Sequence, residues 1–446
     1  MRILTTSFGL GRALRRMTLG LVLASSAAGA TGCATLRATL HGYERGPDGI
    51  ARVQQRLRDA LVRGDFTTAL GWREDDALLR ALTRATSAYY ASQFQRAGAL
   101  LDSAALLADD RITASLSRDA LALVTSDNAR PYQPRPTERL FIAYYGMLSY
   151  ARLERWEDAA VEARRMVALI AQRDGDRDTD EQPLHAALEH LAGAVFERAG
   201  RVDEAQVAYR VAHRLLDDAP ERLSQLGRDQ GEVLVVLERG FVAHRVTEQI
   251  NVFFGDDDSD STRADSVRFA RREGHDDDGG YWLAVAFPAL RRGARPLREA
   301  IRLSSDGSPA DALRIATVLD DAMAVDERRD RVAMMTRAIA RASAKYVITK
   351  TVKDKQGEAA GKLANMGASL LERADVRSWH LLPQEVQLFR VAVSAGRRSL
   401  RVELPDADES PRVAELGEVT VRRGEVTIVP YRLWSDPPRA PLVAVR

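Results

Sequence analysis

The sequence predicts a mainly α-helical fold with a β part, in which helical hairpins come first and strands follow. Three observations predict this order. Residues 48–225 carry small and apolar side chains at steps of three and four, which is typical of amphipathic helices. Residues 226–295 and 381–446 contain β-branched and apolar runs bounded by glycines, which are typical of strands. Between them, residues 296–380 return to the helical period.

The first 32 residues have the composition of an export signal. They hold four arginines, no acidic residue and an apolar run at positions 19–30. A basic start, a short apolar run and small residues before a cleavage point are the pattern of a secretory signal peptide. The run is shorter than the ~20 residues that span a bilayer. We therefore expect residues 1–32 to be a signal peptide.

Cys33 directly follows this segment and is the only cysteine, so it has no disulfide partner within the chain. The stretch Ala30-Thr31-Gly32-Cys33 resembles the lipobox of bacterial lipoproteins. The resemblance implies cleavage before Cys33 and its acylation with fatty acids such as palmitate, each buried methylene contributing ~0.8 kcal/mol of anchoring. Ala34 follows instead of aspartate, which by analogy with enteric lipoproteins implies the outer membrane, facing the periplasm. The alternative is an ordinary signal peptide.

The charge balance bears on the class of partner. The chain has 65 Lys and Arg against 63 Asp and Glu, and without the four signal arginines the balance is 61 to 63. Near-neutral charge argues against nucleic acid as a partner. Residues 33–47 form a short tether before the first helical pattern, so we expect the folded part to lie close to the membrane.

The clearest helical hairpin lies in residues 191–216. Small residues alternate there with large ones at helical spacing, and the connection AGRVDEA holds a glycine suited to the positive φ of a helix C-cap. The predicted packing residues are Gly193, Phe196, Gly200, Ala205, Tyr209 and Ala212. This pattern resembles a tetratricopeptide repeat, in which small residues let two helices pack closely and a bulky one fills the neighbouring hairpin.

Two weaker copies precede this hairpin. The second has Tyr150, Trp156 and Ala159 in the equivalent places, and the first, residues 87–110, is matched through Ala97. The matched alanines are 62 and 46 residues apart instead of the regular 34, so longer loops intervene. We expect the aromatic residues to be core positions. The resemblance implies a helical solenoid with a concave surface of the kind that holds a peptide or a protein.

Residues 226–295 are predicted to be a mixed strand segment with an acidic loop. The run VLVVL indicates a strand buried on both faces, and YWLAVAFPAL indicates a strand that ends at Pro288. The acidic loop, residues 255–280, has aspartates at alternate positions, as a calcium loop does. Ser261 stands where an EF-hand needs glycine, so we expect a solvated loop and no metal.

The last two segments are predicted to be a helical segment, 296–380, and a small C-terminal antiparallel β unit, 381–446. Pro309 suits a helix start. The predicted apolar face of the helix comprises Val332, Met335, Ile339, Ala342 and Tyr346. In the β unit, two strands join at residues 395–397, and a second pair turns at Gly424.

No pattern of catalysis is present in the sequence. It lacks GxSxG, HExxH and any cysteine–histidine zinc spacing, so we expect no enzyme, no cofactor and no metal site. The densest polar and aromatic cluster is RSWHLLPQE, residues 377–385. We interpret it as packing between helices and the β unit, and a binding site is the alternative.

Three blocks carry a wider resemblance: RPTERLFIAYYGMLSYARLERWEDAAVEARR, GEVLVVLERGF and ADVRSWHLLPQEVQLFRVAVSAGRRSLRVEL. They resemble a family of uncharacterised bacterial envelope lipoproteins with a tetratricopeptide-like body, from which no activity follows. We therefore expect a non-catalytic, outer-membrane-anchored lipoprotein that scaffolds protein–protein interactions, with an envelope protein as partner. The alternative is a periplasmic protein that binds or hydrolyses glycan or peptidoglycan.

Overall fold

The fold is built from helical hairpins, packed β-sheets and a long helix, and is a mixed α/β fold. The computed structural model describes residues 52–118, 131–173, 178–217, 219, 226–254, 267–270, 281–292, 301–356, 374–404 and 412–434. The described part of Leu57–Arg446 forms one compact unit. The helices are α1 (Arg52–Val62), α2 (Phe66–Leu70), α3 (Ala77–Tyr90), α4 (Phe94–Arg118), α5 (Pro136–Arg152), α6 (Trp156–Ala171), α7 (Gln182–Arg198), α8 (Val202–Leu215) and α9 (Leu319–Gln356).

The pairs α3–α4, α5–α6 and α7–α8 are helical hairpins, and their three turns have the same backbone geometry. Each turn has a residue with positive φ, namely Ser92 at +59°, Glu154 at +56° and Gly200 at +71°. In each turn the next backbone N–H donates to the carbonyl oxygen five residues earlier, over 2.9, 3.0 and 2.8 Å. This is the Schellman pattern that closes a helix C-terminus. The three turns are spaced 62 and 46 residues apart, in step with the matched alanines.

The strands form several sheets. They are β1 (Gln230–Arg239), β2 (His244–Phe254), β3 (Val267–Ala270), β4 (Tyr281–Arg291), β5 (Arg302–Ser305), β6 (Ser308–Pro309), β7 (Leu313–Val318), β8 (Glu385–Ser394), β9 (Gly396–Leu404), β10 (Arg412–Val421) and β11 (Val426–Leu433). The central sheet has the order β11-β1-β8-β7 and a second sheet has the order β10-β9-β5-β6. In the central sheet, β1 pairs with β11 in parallel and with β8 antiparallel.

Strand β1 is buried on both faces, as the sequence predicts. Leu234 and Val236 belong to the core that the central sheet shares with the hairpins. Val233, Val235 and Leu237 belong to a second core, between the central sheet and the second sheet. Because successive side chains of a strand point to opposite faces, one continuous apolar run serves both cores. The described fold therefore stacks helices, central sheet and second sheet.

The predicted small C-terminal antiparallel β unit is not separate. Strands β8 and β11 flank β1 in the central sheet, whereas β9 and β10 pair with each other in the second sheet. The two predicted hairpins are therefore corners that carry the chain between sheets, at Gly396 (φ +117°) and Gly424 (φ +68°). The physical reason is that β1 has two apolar faces and two edges, and its backbone groups need partners on both sides.

The helical segment predicted at 296–380 begins with strands instead. Pro309, expected to start a helix, lies in β6, and the helix begins at Leu319. Pro288 does not end its strand, because β4 continues to Arg291 in the antiparallel sheet β3-β2-β4. Both prolines lie in strands at the edge of a sheet, where a missing N–H leaves no ladder bond unmade.

The apolar face predicted for α9 is also wrong. Val332 is 75% exposed, whereas Met334 and Ala338, one turn apart, are buried. The side chains of Ala342 and Tyr346 lie outside the described residues. Several apolar residues alternate with arginines here, so more than one stripe fits the helical period. Burial against β4 and α5 selects the stripe that contains Met334.

Candidate functional site

The predicted packing residues of the third hairpin lie between α7 and α8. Ala205, Tyr209 and Ala212 of α8 are fully buried, and Phe196 of α7 is nearly so. Gly193 faces the Tyr209 ring so closely that an added Cβ would lie 2.6 Å from it. Gly200 forms the turn with positive φ. Each of these residues thus has a packing or turn position, and Tyr209 in addition has polar partners on the central sheet.

In the second hairpin, Tyr150 and Trp156 are half-buried and Ala159 is fully buried. The Tyr150 hydroxyl donates to the Asp102 carboxylate of α4 over 2.6 Å. The Arg198 guanidinium lies 4.6 Å from the centre of the Trp156 ring. These aromatic side chains therefore join neighbouring hairpins. Cys33 lies outside the described residues, and so does the acidic loop apart from residues 267–270.

A carboxylate of β1 fixes the first helices of two hairpins onto the central sheet. Glu238 is buried and accepts hydrogen bonds from Tyr90 of α3 over 2.6 Å and from Tyr144 of α5 over 2.9 Å. Burial, and then the charge of Glu238, raise the pKa of Tyr144 well above its ordinary value. The Arg432 guanidinium lies 3.8 Å from Glu238 and supplies the opposite charge. Apart from the buried Arg432 Nε, which makes no hydrogen bond with a described residue, these groups pair with one another and join the two helices to the central sheet.

A second buried charge fixes the third hairpin. Arg390 of β8 donates to Glu232 of β1 over 2.5 and 3.0 Å, to the Tyr209 hydroxyl over 2.5 Å and to Glu197 of α7 over 3.0 Å. Burial alone would lower the pKa of Arg390, but the surrounding Tyr209 oxygen and the two carboxylates raise it. Glu232 and Glu197 share this one cation, so the cluster pairs the buried charges where α7 and α8 meet the central sheet.

The segment before β8 fills the remaining space between helices and sheet. Trp379 donates its indole N–H to Thr86 over 3.0 Å and its backbone N–H to Glu138 over 2.7 Å. His380 is buried, and burial with the nearby Arg58 charge lowers its pKa to about 3. The interpretation of RSWHLLPQE as a packing segment is confirmed. Apart from residues at their ends, the inner helices α3, α5 and α7 are therefore largely buried by other described parts of the chain.

The outward helices α4, α6 and α8 expose isolated aliphatic side chains. Leu106 of α4 is 70% exposed, Val161 of α6 is 56% exposed, and Val207 of α8 is 51% exposed. Ion pairs join these helices, including Arg164–Glu204 between α6 and α8 over 2.6 Å. This outer face thus offers single apolar side chains between ion-paired polar ones.

A cleft lies where the loop before α5 meets β2, β4 and α9. The cavity has a volume of about 190 Å³. Its lining comprises Pro131, Tyr132, Gln133, Pro134, Arg135, Pro136, Arg245, Pro288, Asp330, Met334, Arg337 and Asp375. A second cavity adjoins it, because Pro288 and Met334 line both. We call the first cavity the arginine cleft.

Two arginines of the arginine cleft are close to each other and shielded from water. Arg245 is 8% exposed and donates to Glu327 over 3.3 Å. Arg135 pairs with Asp330, and its Nη2 also lies 3.5 Å from the Met334 sulfur. Burial, and then the charge of Arg245, lower the pKa of the Arg135 guanidinium. A low-dielectric setting strengthens this repulsion and favours a neighbouring anion.

The arrangement suits binding more than bond cleavage. Asp330 is paired with Arg135, and Asp375 with Arg377 over 2.7 Å, so the two carboxylates of the cleft are held by cations. No group of three metal-ligating side chains occurs among the described residues. Sequence reasoning misses this cleft because Arg135, Arg245 and Arg337 lie about a hundred residues apart in separate elements. The proline-rich stretch before α5 is its only local signal.

The comparisons with known proteins add no assignment. No model of a known protein family matches the chain, and no curated protein matches it. A solved structure described as "MamA RS-1 ArsTM double mutant" is similar over 39% of this chain and 78% of its own, with 13% identity and a TM-score of 0.24. Within the part of the chain that the structure describes, no helix has the length and apolar character needed to cross a membrane.

Proposed function

We propose that this chain is a non-catalytic lipoprotein, anchored to the outer membrane through Cys33 and facing the periplasm, that holds another envelope protein against its outer helical face. One observation carries the proposal. The inner helices are covered by the central sheet, while the outward helices expose Leu106, Val161 and Val207. Exposed aliphatic side chains spread over three ion-paired helices, with no cavity among them in the described chain, fit a protein partner better than a small substrate.

We further propose that the three hairpins are tetratricopeptide-like repeats of a short solenoid. The recurrence of the same turn at Ser92, Glu154 and Gly200 supports this, since each turn precedes a matched, fully buried alanine by five residues. In this solenoid the central sheet occupies the face that such arrays commonly leave open. We therefore propose the second helix of each hairpin as the partner surface.

In-cell photocrosslinking tests the proposal at the level of single residues. A photoreactive amino acid replaces Val161 or Val207 in the full chain, and Val332 of α9, an aliphatic residue that is even more exposed, is the control. We expect a discrete protein adduct from the outer-face positions and none from Val332. Glycan adducts without a protein would contradict the proposal and favour wall binding.

Lipid anchoring has its own test. Mass spectrometry of the N-terminal peptide should find acyl chains on Cys33, and a Cys33→Ser variant should leave the membrane fraction. A free thiol at an unprocessed or secreted N-terminus would refute the anchor and leave the outer-face contact to be judged by crosslinking alone.

A further inference from the structure

The arginine cleft has more positive than negative charge available to a ligand. Asp330 and Asp375 are neutralised by Arg135 and Arg377. Arg337 makes no hydrogen bond or ion pair with any described residue. The lining holds three arginines and two aspartates, and Arg377 is not part of it. Both aspartates are already in ion pairs. Arg337, the arginine without an ion pair to a described residue, therefore lines the cleft.

Arg245 adds an unsatisfied donor. Its guanidinium is more than nine-tenths buried, and its Nε makes no hydrogen bond within the described chain. Its pairing with Glu327 at 3.3 Å uses one Nη only. A buried N–H without a partner destabilises the fold, and a hydrogen bond to a ligand acceptor would remove that penalty. The guanidinium fork is suited to the paired oxygens of a carboxylate or a phosphate.

The walls of the cleft are rigid and define the size of what enters. Three prolines, Pro131, Pro134 and Pro136, fix φ along the loop before α5. The Tyr132 hydroxyl is already held by Glu138 at 2.5 Å, which leaves its ring as an apolar wall. A volume of about 190 Å³ is below the ~300 Å³ at which drug-sized pockets begin, so it fits an acidic group with a few attached atoms.

We propose that the arginine cleft is a binding site for the carboxylate or phosphate group of a small anionic ligand, which Arg245 and Arg337 hold. The site is independent of the outer helical face and of the lipid anchor. Arg135 contributes positive charge and keeps Asp330 engaged, so it positions the loop more than it binds. The same chemistry would accept a free anion or the headgroup of an anionic lipid.

Calorimetric titration of the full chain with inorganic phosphate and with acetate, at constant ionic strength set with sodium chloride, tests the site. We expect saturable binding of at least one anion and a higher melting temperature in its presence. Arg337→Gln should raise the Kd about tenfold or more, the loss of one charge-assisted hydrogen bond. Arg331→Gln, an exposed arginine on the same helix in the adjoining cavity, should leave the Kd within about twofold.

Further measurements identify the source of the anion and show whether each variant folds. Arg337→Lys keeps the charge without the fork and should lie between wild type and Arg337→Gln; circular dichroism verifies folding of each variant. Arg337-dependent binding to phosphatidylglycerol vesicles, and not to phosphatidylcholine vesicles, would identify a lipid headgroup as the source. No saturable binding of phosphate, acetate or vesicles, or equal affinities for wild type and Arg337→Gln, would overturn the proposal.

Discussion

At the scale of single residues, the three hairpin turns solve one backbone problem with three different side chains. Gly200 accepts its positive φ without strain, whereas Ser92 and Glu154 carry a Cβ into the same region. An L-residue with a Cβ costs roughly 1–2 kcal/mol in this conformation relative to the right-handed one. Glu154 is largely exposed, and its distance to Arg422 is 3.9 Å, so its side chain adds little.

Introducing a glycine at one turn should stabilise the fold, and removing the glycine from another turn should destabilise it. We expect Glu154→Gly to raise the free energy of unfolding by about 0.5–1 kcal/mol and Gly200→Ala to lower it by about 1 kcal/mol. Urea unfolding followed by circular dichroism measures both. No contact within 4 Å opposes a Cβ at Gly200, so a loss there reports φ alone. Equal effects of the two exchanges would contradict the conformational explanation.

Glu162 of α6 is a partly buried carboxyl without a cation close enough to compensate for burial. Burial, with a smaller contribution from Asp102, raises its pKa from 4.5 to about 7. The folded chain therefore holds this proton more tightly than the unfolded chain. As pH rises from about 4.5 to 7, the unfolded chain releases it first, and the free energy of unfolding falls. Above about pH 7, Glu162 is ionised in the folded chain as well, and the whole destabilisation from its buried charge is present.

Replacing this carboxyl with a neutral amide should remove that cost. We expect Glu162→Gln to stabilise the fold by about 1–3 kcal/mol at pH 8 and to change little at pH 4. Denaturant unfolding at both pH values tests this. Glu157→Gln, on the same helix with an exposed ion pair to Arg201, is the matched control and should shift stability by less than about 1 kcal/mol at either pH.

At the scale of elements, buried charges fix hairpins to the central sheet. Arg390 joins β8 to β1 through Glu232 and to the third hairpin through Glu197 and Tyr209. Such a cluster specifies how the layers align, because a shift of one residue would bury an unpaired charge. Glu238 does the same for α3 and α5.

Removing the Arg390 cation alone should lower the free energy of unfolding more than removing Arg390 and the Glu232 charge together. We expect Arg390→Met to lower the free energy of unfolding by about 3–5 kcal/mol, since Glu232 is left buried without its cation. The double variant Arg390→Met with Glu232→Gln should recover part of this loss. Arg423→Met, which removes an exposed ion pair with Asp229, is the control and should cost less than about 1 kcal/mol. Additive losses in the double variant would contradict the role of the pair.

At the scale of the whole molecule, the central sheet connects segments that the sequence presents as successive units. Strand β1 pairs with β8 on one side and with β11 on the other, and β8 also pairs with β7. Removing residues 381–446 therefore takes away both neighbours of β1 and uncovers the inner helices.

We expect a chain that ends at residue 380 to lose native near-ultraviolet circular dichroism and to bind a hydrophobic dye, although its hairpins keep their local helical signals. The physical reason is that Leu234 and Val236 lose the sheet that holds them against the helices. A soluble fragment with the native spectrum would show instead that the hairpins fold independently of the central sheet.

Much of the local structure was readable from the sequence. The hairpin at Gly200, the positions of Ala159 and Ala205, and the buried strand β1 all follow from short-range periodicity and turn chemistry, which act over a few residues. The same reasoning misplaced the helix start at Pro309, because a proline suits a helix N-terminus and an edge strand equally well.

The sequence by itself determined the hairpin turns, the buried alanines that follow them and the doubly buried strand β1, because these features depend on residues that are close together in the chain. Only the tertiary structure decided that β8 and β11 flank β1, that the inner helices are covered, and that Arg135, Arg245 and Arg337 meet in one cleft. Those arrangements join residues about a hundred or more positions apart. They are selected by burying two-faced strands and pairing buried charges, and no local pattern records them.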